Sequence, residues 1–412
     1  MARSLRPVLR LSVPALVVGV GCSLVLLAMS LSADGLEKVL WRALPQLLGL
    51  SGRSPGWIAL VLTAIGVVVG LVVWLVPGHA GPDPARLSLV SAPMPARVLP
   101  GMLLTVVLGL GGGVSLGPEN PIVAANVALA FLLGKRAMPA TATGTWVELA
   151  AAGTIGALFG TPVAAALVLS EAPMSHADHA EPLWDRLFAP LVAAGSGAFT
   201  TFLLADPVLS ISLPPYPGYA LGDVVFATVI STVGAGLGLC AVYAFPPVHG
   251  LFHRIANPVV MIAAGGAVLG VLGAAGGHLT LFKGLDEMEE LANSPAQRGA
   301  TALAVLVVVK LAALVVAASS GFRGGRIFPA VFVGVALGFL AHALVPAVPL
   351  VLAVGCAVLG VLVAITRQGW LSLFMAATTV ADIRVLPLLC VAVLPAWALV
   401  LGRPEMLIKD DS

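Results

Sequence analysis

The chain has 412 residues, 59% of them hydrophobic and only 10% charged, with a mean hydropathy of +1.06 and a formal net charge of +2. This balance excludes an ordinary soluble globule and points to a polytopic membrane protein. The small net charge, without basic clusters interleaved with aromatics, excludes a nucleic-acid partner. Cys22, Cys240, Cys356 and Cys390 sit singly in apolar segments without CxxC spacing, so neither a disulfide framework nor a metal site is expected from them, and no cofactor is expected.

The amino end, MARSLRPVLR, places Arg3, Arg6 and Arg10 before an apolar run at about 11–31. That run is longer than a signal-peptide core and no clear cleavage site follows, so it reads as a first membrane helix with a cytoplasmic amino end. Residues 57–76, WIALVLTAIGVVVGLVVWLV, carry no charge and are long enough to cross roughly 30 Å of hydrocarbon as a helix. Further apolar segments fall at about 98–116, 121–134, 144–170, 187–204, 222–245, 258–275, 301–318, 329–365 and 370–401. None alternates with period two, which favours helices over a closed barrel and gives an all-α integral membrane fold, multi-pass in the cell membrane. Segments such as 329–365 are long enough that they must break near the membrane. Irregular backbone at that depth is tolerated only inside protein or beside a water-filled cavity, so the breaks point to an ion or solute path.

Two polar connections stand out, 172–186 (APMSHADHAEPLWDR) and the proline-rich 205–223 near the middle of the chain. The expected organisation is a cytoplasmic amino terminus at 1–10, a first membrane repeat at 11–204, a connecting loop at 205–221, a second membrane repeat at 222–401 and a cytoplasmic tail at 402–412. Self-comparison at an offset of 208 residues supports the division. GPENPIVAANVALAFL (117–132) aligns without gaps on GRIFPAVFVGVALGFL (325–340), with 8 of 16 positions identical, including Gly117 with Gly325 and Pro121 with Pro329. Apolar bias inflates such matches, but it does not account for the shared glycine and proline spacing.

Each copy has glycine, three residues, then proline at a helix start. Glycine permits close backbone approach, and proline is tolerated in a first turn because its missing N–H has no partner there in any case. Two helix amino termini with free N–H groups then face a shared site carrying partial positive charge, as in transporter folds whose halves meet at the bilayer midplane. The expected ligand is an anion. Glu119, inside the first copy, is a carboxylate at a place where desolvation makes one costly, which argues for function over simple capping of its own helix.

These residues resemble the CLC family of chloride channels and proton-coupled chloride exchangers. GGGVSLGPENP is similar to the family's first-half pore signature, SSGFRGGRIFPAVFVGVALG to its second-half signature, ALFGTPVAAALVLSEA to the helix after the first pore segment, and ADIRVLPLLCVAVLPA to a segment near the end of the membrane domain. The similarity spans about residues 10–406. It implies two inverted-topology repeats of tilted and broken helices in the lipid bilayer, a homodimer with one pore per subunit, and transport of chloride or another small anion, with protons as a further substrate in the exchanger branch. Glu119 is then the gating glutamate, with Gly117, Pro118, Asn120, Gly325, Arg326, Ile327 and Phe328 around the anion. His79 falls where the family usually has a coordinating serine, and Met406 near its inner tyrosine. Ala172, directly after Glu171, falls at the inner proton-transfer glutamate; this pair is the proton-path candidate, and its apolar member favours passive, channel-like conduction gated by Glu119 over proton-coupled exchange. The chain ends soon after the last apolar segment, so a nucleotide-binding CBS pair is not expected.

Lys310, inside LAVLVVVKLAALVV, must snorkel, pair or face water. His176 and His179 in HADHAE are a weak pointer to metal, and no metal site is expected. A membrane enzyme acting on a lipid-linked substrate is the rival from another class, but no HExxH, GxSxG or acidic metal cluster accompanies Glu119, so the chain does not read as an enzyme. A sodium- or proton-coupled symporter on another inverted repeat is the third alternative.

Overall fold

The computed structural model of the chain describes residues 6–171, 183–205, 209–293 and 299–408. Arg3, Ala172, His176 and His179 lie outside the described residues. Among the described residues the fold is all helix, with no strand. In the first half, α1 (Arg6–Lys38) continues through a π-helical turn into α2 (Leu44–Leu47), well beyond the apolar run 11–31. Then come α3 (Pro55–Leu75), α4 (Leu99–Gly111), α5 (Glu119–Ala137), α6 (Thr143–Phe159), α7 (Pro162–Glu171) and α8 (Leu183–Leu204). The second half comprises α9 (Leu221–Phe252), α10 (Pro258–Gly276), α11 (Leu285–Asn293), α12 (Ala300–Ser319), α13 (Ile327–Leu344), α14 (Leu350–Thr366), α15 (Gly369–Val380) and α16 (Leu386–Val400).

Eight of the described helical stretches are long and apolar enough to cross a membrane, while those ending or spanning α4, α7, α14 and α15 are apolar but shorter. The chain is a multi-pass membrane protein. Its overlong apolar runs break where the local chemistry allows. Gly160, at φ +65°, ends α6 in the left-handed conformation that favours glycine, and Pro162 then opens α7. The run 329–365 breaks at residues 345–349, where the His342 Nδ1 lies 2.7 Å from the Val348 carbonyl oxygen.

The packing repeats along with the sequence. In the first half α1 lies against α4, α6 and α8, and in the second half α9 lies against α12, α14 and α16; α5 packs on α6 as α13 packs on α14. The register holds to the residue, because α4 ends at Gly111 and α12 at Ser319, and α5 begins at Glu119 and α13 at Ile327, each pair 208 residues apart. Between the helices, Gly113 at φ +88° corresponds to Gly321 at φ +90°. The second half therefore repeats the first with inverted topology.

Helix faces meet through small residues, as expected where lipid removes the hydrophobic drive for helix association. A Cβ at Gly66 of α3 would lie 2.7 Å from the Ile262 carbonyl oxygen of α10, and one at Gly266 would lie 2.4 Å from that of Leu62. The most deeply buried elements are the first half of α5, most of α13 and nearly all of α14. The proline-rich connection between the halves is packed down too. Its Ile211 N–H donates to the Thr379 carbonyl at 3.0 Å, its Tyr216 N–H donates to Asp382 at 2.8 Å, and the buried Tyr216 hydroxyl donates to Asp223 of α9.

Candidate anion site

The two helix starts meet. Gly117 N–H donates to the Gly325 carbonyl at 2.9 Å and Gly325 N–H donates to the Gly117 carbonyl at 2.6 Å, an isolated antiparallel pairing that ties α5 to α13. Glycine at both positions leaves the space in which the Glu119 carboxylate sits. A Cβ at Gly117 would lie 2.1 Å from the Glu119 Oε2 and a Cβ at Gly325 would lie 2.0 Å from it, so the volume two side chains would fill is held by a carboxylate.

Glu119 is fully buried, and its Oε1 accepts the Phe328 N–H at 2.7 Å. Phe328 is the second residue of α13, so the carboxylate caps the helix of the opposite half rather than its own. The backbone N–H groups of Ile327 and of Glu119 itself also face it, and the Arg326 guanidinium lies within its electrostatic reach. Oε2 has no hydrogen-bond partner. A negative group held by helix-terminal N–H groups, with one oxygen unsatisfied, stands chemically where a small anion would stand.

On one side of this junction lies a cavity of about 60 Å³ lined by Ser88, Asn120, Arg326, Gln368 and Glu405, among others. The Arg326 Nη2 and the Asn120 Nδ2 both donate to the Leu87 carbonyl, at 3.1 and 3.0 Å. The Arg326 Nη1 is shielded from solvent without a partner, leaving one cationic donor uncommitted beside the cavity.

The structure thus gathers Gly117, Pro118, Glu119, Asn120, Gly325, Arg326, Ile327 and Phe328 at one junction. It does not bring the His79 side chain there. His79 is exposed, at φ +50°, with its Nδ1 2.9 Å from the Val73 carbonyl oxygen. The carbonyls of His79, Ala80 and Gly81 instead accept from the Arg323 guanidinium at 3.0 to 3.1 Å. Met406 is fully buried in the core, although its neighbours Glu405 and Leu407 line the cavity. Glu171 accepts the N–H groups of Gly369 and Trp370, at 2.8 and 3.1 Å, and so caps α15.

Four polar lining residues escape a reading of the sequence alone, one of them Thr366 at the end of α14. Ser88 lies nine residues beyond His79, Gln368 sits in the turn between α14 and α15, and Glu405 in the tail. Only Glu405 carries a signal, as the one acidic residue of GRPEML. Lys310 neither snorkels nor sits at the junction. Its buried ammonium donates to the carbonyls of Thr280, Leu281 and Phe282 at 2.6 to 3.2 Å and lies 4.9 Å from the centre of the Phe332 ring. The Phe282 N–H in turn donates to the Gly113 carbonyl at 3.0 Å, so this buried cation braces the glycine turn leading into the site.

Inverted helical repeats in a membrane, with a helix start from each half converging on a tethered carboxylate, define a membrane protein for anion transport. The sequence matches the family described as Voltage gated chloride channel over residues 65–400, and the chain belongs to that family. It is 51% identical over 399 residues to the "Putative ion-transport protein YfeO" of Salmonella newport (strain SL254), covering 97% of this chain and 96% of the relative. The Salmonella choleraesuis (strain SC-B67) protein of the same name is 52% identical over the same length and coverage. Two solved structures share the fold over 96% of both chains: a slow cyanobacterial Cl-/H+ antiporter, with TM-score 0.81 and 17% identity, and a CLC-type fluoride/proton antiporter, with TM-score 0.76 and 19% identity.

Proposed function

We propose that the chain conducts a small anion passively, through the junction of α5 and α13, with Glu119 as the gate. The observation that carries this reading is the Glu119 carboxylate seated on the Phe328 N–H between Gly117 and Gly325. While ionised, the side chain competes with the permeant anion for the same donors. Protonation, or displacement by an anion, removes it and opens the path. Passive conduction is supported by Glu171, the described carboxylate nearest the place where the family resemblance puts proton transfer, whose two oxygens each accept a backbone N–H of α15. The family resemblance further implies a homodimer with one pore in each subunit.

Proton-coupled exchange is the second reading, and Glu405 favours it. This carboxylate lines the cavity beside the junction, and Arg326, which also lines it, interacts electrostatically with both Glu405 and Glu119. The two solved structures of the same fold, both antiporters, lean the same way. The deciding experiment is flux from liposomes of the purified protein under an imposed chloride gradient with a pH dye inside. Passive conduction gives chloride flux without uphill proton movement. Chloride-driven uphill proton movement, lost in Glu405→Gln, establishes exchange in its place.

A further inference from the structure

A cluster away from the anion junction has the composition and geometry of a metal site. Near the carboxyl end of α9, HGLFH places His249 and His253 four residues apart on one helix face, the spacing by which two imidazoles on a helix share one ion. Their rings stack with centroids 3.7 Å apart. Facing them from the loop after α3 is Asp83, whose Oδ2 lies 2.7 Å from the His249 Nε2 and 3.4 Å from the His253 Nε2. One ligand atom from each residue falls within 4.8 Å of the others. Ligand atoms around a tetrahedral zinc, at about 2.0–2.1 Å from the metal, stand about 3.3 Å apart, so small side-chain rotations suffice to fit the ion.

The hydrogen bonding around the cluster prepares these atoms for a cation. The His253 Nδ1 lies 2.9 Å from the His249 carbonyl oxygen, an acceptor, so that ring nitrogen carries the proton and donates. The Nε2, on the other side of the ring, faces an Asp83 oxygen 3.4 Å away and is the atom through which this ring would ligate. A ligating imidazole typically donates its other N–H to a carbonyl in this way, which fixes ring and tautomer. Asp83 is held by the Ala85 N–H, which donates to its Oδ1 at 3.0 Å. Arg323, whose charge Asp83 also feels, is committed to the loop carbonyls of His79, Ala80 and Gly81.

We infer that Asp83, His249 and His253 bind a first-row divalent transition metal of the Zn²⁺ class, with water completing its coordination. The ion takes the place of the proton between His249 and Asp83, and the His249 ring then keeps its proton on Nδ1 while its Nε2 lone pair ligates. The site is reachable, since the His253 side chain is 34% exposed. Because α1 and α3 are consecutive spans, the loop after α3 lies on the amino-terminal side of the membrane, and Arg86, Arg97 and Arg254 nearby match the basic bias of cytoplasmic loops. Bound there, the ion pins the end of α9 to the segment that continues through Ser88 into the wall of the anion cavity.

The test is Zn²⁺ binding to the full chain, purified in detergent, stripped with EDTA and titrated against a chromophoric zinc indicator. The wild type is expected to take up one equivalent that His253→Gln weakens at least about 10-fold. His253 is exposed, so this variant folds; His176→Ala/His179→Ala, which alters the other paired histidines, retains the equivalent. Zn²⁺ also raises the melting temperature of the wild type but not of His253→Gln, since a ligand bound only by the native state stabilises it. No equivalent above background, or one that His253→Gln leaves intact, overturns the assignment. Neither readout requires transport, so the result stands apart from the proposed function.

Discussion

Glu119→Gln isolates the charge of the gate while keeping its shape. The carboxylate's bond to the Phe328 N–H is charge-assisted, and such bonds contribute about 1.5–3 kcal/mol, against about 1 kcal/mol for a neutral amide in the same place. The helix terminus adds roughly 0.3–1 kcal/mol in favour of a negative occupant. Glutamine therefore gives up about 1–3 kcal/mol as a competitor for the site, and the permeant anion gains that amount, which is about 5- to 150-fold in apparent affinity. The assay is calorimetric titration of chloride and fluoride into chloride-free protein at about pH 8, where an ordinary carboxylate is ionised. It is paired with liposome flux across a pH series. The expected outcome is tighter anion binding and flux that no longer varies with pH. Unchanged affinity together with retained pH dependence refutes the reasoning, because the charge of Glu119 then neither competes for the site nor gates it.

Gly325→Ala puts a methyl group 2.0 Å from where the Glu119 Oε2 sits, so the carboxylate loses its seat. Flux is expected to lose its pH dependence and to fall in maximal rate, and a wild-type pH profile in liposomes contradicts this. Lys310→Met strips the donor from three buried carbonyls and leaves the buried Glu287, which Lys310 attracts, without its cation. The expected cost is about 3–5 kcal/mol, read as a lowered melting temperature in detergent, and an unchanged one sinks the bracing role. Glu171→Gln keeps one acceptor for the α15 amides and loses the other, so stability is expected to fall by about 1 kcal/mol with no change in proton movement. Altered proton movement identifies Glu171 as part of a proton path.

The sequence was most legible where backbone constraint selects residue type. The paired glycines and prolines announced two equivalent helix starts, and the structure extends the match to the left-handed turns at Gly113 and Gly321, whose φ requirement is not visible in the letters. Glu119 could be singled out because a carboxylate in an apolar run is costly, but that it caps α13 rather than α5 depends on the antiparallel Gly117–Gly325 pairing, a contact between halves. The resemblance puts His79 at a coordinating position, but four successive left-handed residues, Gly78 to Gly81, turn that loop's carbonyls towards Arg323 while the ring goes to Val73. Ser88, Gln368 and Glu405 reach the cavity from three separate connections, so no local pattern marks them. The same holds for Asp83 and the two histidines of α9, about 166 residues apart in the chain and joined only by the fold.

The account turns on whether a free anion occupies the place of the Glu119 carboxylate once that carboxylate is gone. The most direct measurement is a crystal structure of Glu119→Ala grown in bromide, with anomalous scattering locating the ion. A bromide peak within about 3.5 Å of the Phe328 amide nitrogen, a little beyond the N–H···O range because bromide is larger than oxygen, and lying between Gly117 and Gly325, is the predicted result. A junction that is empty while bromide binds elsewhere contradicts it.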